Sequence, residues 1–169
     1  MSDVKTLYRQ SDAVGLADHV RAGEVSSLEV AEVAIETIEA LNPQLNSVIC
    51  KLYDLGREAA AKTDTSAPLA GVPFLLKELA SNWAGVQATN SSAFLKNNVA
   101  AQDSHLTQKI KAAGLTLLGK TNAPENGWSI ATEPALYGPT LNPWNPKVTP
   151  GGSSGGSAVA VATGMVPIA

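Results

Sequence analysis

The stretch best suited to chemistry is residues 149–157, "TPGGSSGGS", in which Ser153 and Ser154 lie between two glycine pairs. Gly151, Gly152, Gly155 and Gly156 let backbone approach backbone, and the small-residue run "SAVAVATG" that follows reads as a helix beginning inside the motif. A helix N-terminus at such a corner stabilises anions through its free N–H groups and the positive end of its dipole. The competing reading is a flexible linker. Against it, the flanking sequence is equally globular on both sides, and the upstream "LNPWNPKVTP" carries Trp144 and three prolines that stiffen the chain.

A second stretch, "GLTLLGKT" at 114–121, fits the phosphate-loop pattern G-x-x-x-x-G-K-[ST]. That mechanism needs a strand before the loop and a long helix after it, so that backbone N–H groups curl round phosphate. Here a helical pattern precedes Gly114, the four intervening residues are Leu-Thr-Leu-Leu, and Pro124 follows closely. The sequence favours a buried strand whose Lys120 snorkels to water.

These motifs sit in an alternating pattern of elements. Residues 11–22 read as a helix ended by Gly23. A second helix opens on a Ser26–Glu29 capping box, carries Leu28, Ala31, Ile35 and Ile38 on one face, and is predicted to stop at Asn42-Pro43. "NSVICKLY" is strand-like and "DLGREAAAK" a short helix. "GVPFLLKEL" is a buried strand, and "NSSAFLKN" a weak helix. "DSHLTQKIKAAG" is a helix capped by Asp103 and stopped by Gly114. "LTLLGKTN" is a second apolar strand, and 122–150 is irregular. Apolar strands alternating with helices imply an α/β fold, a mixed sheet core flanked by helices on both faces.

The 169 residues suffice for one domain, and 44% apolar with 16% charged residues is a globular composition. A net charge of -3 without clustering argues against a nucleic-acid surface or a polybasic membrane patch. The single cysteine, Cys50, excludes an internal disulfide, and Cys50 with the distant His19 and His105 makes no zinc site. The sequence contains neither a signal-peptide pattern nor a membrane-length apolar run, so a cytoplasmic protein is expected.

The blocks "GVPFLLKEL", "LLGKTN", "TEPALYGPTLNPWNP" and "PGGSSGGSAVAVA", in this order and spacing, resemble the amidase signature family, weakly over 1–65 and closely from Leu69 onward. The resemblance implies an amide hydrolase with a Ser–Ser–Lys triad, no metal and no cofactor. It puts the lysine role on Lys77, the bridging serine with its cis peptide bond on Ser153, and hydrogen-bonding support on Ser154. Gly127 and Ser129 would line the substrate pocket.

The chemistry fits those residue types. A lysine acts as base only when neutral, and burial depresses its pKa from ~10.4 by penalising the ammonium form. Lys77 closes an uncharged run, Val72 to Leu76, that would carry it into a low-dielectric cleft. Read without the resemblance, Lys77 is a strand-end lysine, solvated or paired with Glu78.

The family's acylating serine and oxyanion hole lie in a later "GGS" motif. The resemblance therefore implies that residues 1–169 are the N-terminal part of a single amidase domain, inactive alone, with "GMVPIA" ending as an unpaired apolar edge. The implied partner is a small-molecule amide, with no nucleic acid or membrane, and a homo-oligomer is left open for the full-length protein. The glutaminase subunit of a tRNA-dependent amidotransferase shares the "PGGSSGGS" and "NPW" blocks, and a non-catalytic remnant is a third reading. Two departures stand out: Glu78 where the family commonly has Asp, and Asn126 where an aromatic is frequent.

Overall fold

The computed structural model describes residues 2–169. The chain opens with helices α1 (Ser2–Gln10), α2 (Ala13–Arg21) and α3 (Ser27–Leu45). The first was not anticipated. Its Val4, Leu7 and Tyr8 recur at helical spacing and pack on the core, and the Tyr8 hydroxyl donates to the Met165 carbonyl at 2.8 Å. Ser26 and Glu29 form the capping box that starts α3.

Asn42-Pro43 does not stop α3, which runs on to Leu45 and ends at Asn46 in the left-handed region (φ 51°). The Asn42 side chain ties down the chain beyond the proline. Its Oδ1 accepts from the N–H groups of Ser47 and Val48, and its Nδ2 donates to the Val48 carbonyl, so the segment leaving the helix is bonded back to it.

Strand β1 (Val48–Lys51) and helix α4 (Tyr53–Ala60) follow, then β2 (Pro73–Lys77), α5 (His105–Ala112), β3 (Thr116–Thr121) and α6 (Gly155–Ala162). "NSSAFLKN" contributes only a 3₁₀ turn, Ala93–Leu95. Ser104, not Asp103, caps α5. Asp103 is engaged elsewhere, accepting from the Ala84 N–H and pairing with Lys111.

The sheet is mixed, in the order β1-β3-β2, with β1 antiparallel and β2 parallel to β3. A one-residue irregularity lets Phe74 face Leu117 while Leu75 faces Gly119. Leu75 and Leu118 point into the larger core built from α1, α2, α3 and α6. Phe74, Leu76 and Leu117 point the other way, onto Ile110 of α5 and onto Trp83. Helices thus cover both faces, as the alternating pattern implied.

The residues after α6 are not a loose edge. Met165 and Val166 are fully buried, and Ile168 bridges Phe74 in parallel on the outer side of β2. Among the described residues no helix is long and apolar enough to cross a membrane.

Candidate active site

Lys77 is the last residue of β2, and α6 begins two residues after Ser153. The two meet because the start of α6 docks on the end of β3. Gly156 donates its N–H to the Asn122 carbonyl, and the Ser157 and Thr121 hydroxyls lie 2.7 Å apart in the buried seam. Thr121 is the register partner of Lys77. Lys77 Nζ consequently lies 2.7 Å from Ser153 Oγ, a direct hydrogen bond between groups 76 residues apart.

The glycines make that docking sterically feasible. A Cβ on Gly156 would stand 2.4 Å from the Asn122 nitrogen and 2.6 Å from the Ser47 oxygen. A Cβ on Gly155 would stand 2.2 Å from Thr132 Oγ1. Gly151 holds φ +92°, and the Gly152–Ser153 peptide bond is cis. Gly152 itself rests against the Ser129–Ile130 backbone.

The electrostatics of the pair are simple. Lys77 is half-buried, and among the described residues its one hydrogen-bond partner is the Ser153 hydroxyl. Burial holds its pKa below the ordinary value of 10.5, with no carboxylate among the described residues to restore the charged form. Glu78 does not pair with Lys77. It points to the opposite face of β2 and pairs with Lys120, so Lys120 does not snorkel to water: both side chains are almost completely buried. The "GLTLLGKT" segment is a buried strand and presents no phosphate nest.

Ser154 is exposed, and as N-cap of α6 it makes no side-chain cap bond; its carbonyl accepts from the Ala158 N–H. Gly127 lies in the 3₁₀ turn Glu125–Gly127 with φ +71°, against Leu79. Ser129 is exposed, and its Oγ accepts from the Ala131 N–H. Neither Gly127 nor Ser129 bonds to Lys77 or Ser153.

Sequence reasoning missed Thr132. Its hydroxyl donates to the Gly151 carbonyl at 2.8 Å and accepts from the Gly155 N–H at 3.2 Å, joining the two ends of the serine loop. A threonine in an aperiodic segment carries no local signal of such a role.

A lysine amine that has given up its proton can act as base through such a serine hydroxyl, which relays the proton from a reacting group. Comparison with known proteins identifies the family of the chain. The Amidase family model matches residues 29–169, and the chain belongs to that family. The 6-aminohexanoate-cyclic-dimer hydrolase of Paenarthrobacter ureafaciens is 43% identical over 160 residues, covering 94% of this chain and 32% of that protein. A component of the glutamyl-tRNA(Gln) amidotransferase of Carboxydothermus hydrogenoformans is 37% identical over 161 residues, covering 91% and 33% respectively. A solved structure of 6-aminohexanoate cyclic dimer hydrolase superposes with a TM-score of 0.89 at 42% identity, over 95% of this chain and 33% of the other. The chain thus spans about a third of the length of these relatives.

Proposed function

We propose that this chain is the N-terminal part of an amidase domain that hydrolyses a small-molecule amide. In this reading Lys77 and Ser153 are the proton-transfer arm of a Ser–Ser–Lys triad. The carrying observation is the 2.7 Å contact between a half-buried lysine, without a carboxylate partner among the described residues, and the serine hydroxyl. Neutral Lys77 takes the proton of Ser153 as Ser153 takes that of an acylating serine supplied elsewhere in the domain. The same path returns a proton to the leaving amine. Trp128 and Ile130, 90% and 85% exposed beside the serine loop, form an apolar surface that the rest of the domain would cover.

The test is Lys77→Ala in the protein that carries this chain, assayed on simple linear amides. Turnover should fall ~10²–10⁴-fold, the range of a general base, with the melting curve retained. Undiminished turnover contradicts the reading. The amidotransferase relative motivates glutamine as one of the substrates. Glutamine hydrolysis alone, dependent on a partner protein, would move the assignment to the glutaminase of an amidotransferase.

A further inference from the structure

The molecule holds a second lysine-centred cluster that the hydrolytic reading does not use. Glu78, 1% exposed, pairs through Oε2 with Lys120, 2% exposed. Its Oε1 accepts from the Thr89 N–H at 2.5 Å and from the Thr89 hydroxyl at 2.8 Å. Lys120 Nζ also donates to the Gln87 carbonyl. Because the Thr89 hydroxyl gives its proton to Glu78, Tyr137, 2.9 Å away, donates to Thr89. The Glu78 N–H donates to the Thr121 carbonyl. Both carboxylate oxygens are therefore engaged, as a buried charge requires.

This cluster sits immediately after Lys77, where β2 ends and Ala80 turns into the left-handed region (φ 55°). The end of a strand is where local opening starts, and holding the residue that follows opposes it. The same anchor reaches the far wall of the site. Thr89 leads into Asn90–Ser92, where the Asn90 carbonyl accepts from the Asn126 N–H and the Ser92 hydroxyl donates to Glu125. The chain then continues to Ser129 and Ile130, against Gly152.

We propose that Glu78, clamped to Thr89 and Lys120 on the opposite face of β2, is the positioning residue for Lys77 and for the loop wall that meets the serine pair. Glu78 touches no reacting atom; it acts by fixing the strand end from which Lys77 projects. The inference rests on the reading of Lys77 as the base.

The test compares two double variants, each removing both charges so that no buried ion is left unpaired. Glu78→Gln/Lys120→Met keeps an acceptor for Thr89, whereas Glu78→Leu/Lys120→Met abolishes it. The readouts are the side-chain Cε resonance of Lys77 by NMR, and kcat against KM on a simple amide. The leucine variant should move the Lys77 resonance toward that of exposed lysines and lower kcat ~10-fold or more at unchanged KM. The glutamine variant should stay near the parent. Equal resonances and equal kcat in the two overturn the proposal.

If the leucine variant does not fold, Thr89→Val serves instead. It removes the hydroxyl bond, and a several-fold loss of kcat at constant KM supports the clamp, while unchanged kcat overturns it. An unsubstituted enzyme without amidase activity refutes the hydrolytic reading instead. The Lys77 resonance then still decides whether the clamp positions the amine.

Discussion

Two lysines on neighbouring strands divide the labour of this molecule. Lys77 ends β2 and Lys120 lies near the end of β3, each closing an apolar run, yet they meet opposite fates. Lys120 is buried against Glu78 and the Gln87 carbonyl, a charge compensated in place. Lys77, one position before Glu78, projects from the other face and finds a serine hydroxyl. Strand alternation alone separates them. A buried amine with a carboxylate builds structure, whereas a half-buried amine without one gives up its proton more readily than an exposed lysine does.

Removing each lysine in turn should give the largest difference between them. Lys120→Met alone strands the Glu78 carboxylate and should cost ~3–5 kcal/mol, read as a large fall in Tm. Lys77→Met, the matched change on the other face, leaves no buried charge behind and should leave the fold as stable as the parent or slightly more so. If both changes destabilise equally, the distinction between the two lysines is lost.

The sequence made one of these lysines legible and not the other. Lys77 and Ser153 stand in blocks whose order and spacing resemble the amidase signature. The glycines of "PGGSSGGS" announce a close approach even before its partner is known. The Glu78–Lys120–Thr89–Tyr137 cluster joins positions far apart in the chain with no local periodicity, so "LLGKTN" alone suggested a lysine reaching water. The extension of α3 past Pro43 was hidden for a similar reason: the Asn42 side chain bonds the backbone of residues that follow the helix. Local patterns give elements, and the polar contacts between elements must be seen.

The serine corner sharpens the comparison at intermediate magnitude. Gly156→Ala places a methyl against Asn122 and Ser47 backbone and should destabilise by ~1–3 kcal/mol, with turnover falling further than Tm predicts because Ser153 shifts from Lys77. Thr132→Ala, which removes both bonds that close the serine loop, should cost ~1 kcal/mol. A change in turnover smaller than that in stability would show that the loop holds its shape without it.

The smallest effect should run in the stabilising direction. Ser91 sits at φ +57° with its buried hydroxyl unpartnered among the described residues. Ser91→Gly should relieve both and raise stability by ~1 kcal/mol, measured by denaturant midpoint. A loss of stability would mean the hydroxyl has a partner that matters.

The pH behaviour of Lys77 follows from the direction of its shift. Folded Lys77 releases its proton at lower pH than the unfolded chain, so the unfolded state binds more protons between the two values. Stability should rise with pH through that window, and the cost of the buried ammonium is fully present below it. Under the proposed function, amide hydrolysis by the protein that carries this chain should rise over the same limb as the amine becomes neutral.

The most direct measurement is an NMR titration of the Lys77 ε-methylene. Its midpoint should lie clearly below those of the exposed lysines and move with a Ser153→Ala substitution that alters its polar contact. A midpoint for Lys77 indistinguishable from the exposed lysines, and indifferent to Ser153, would contradict it.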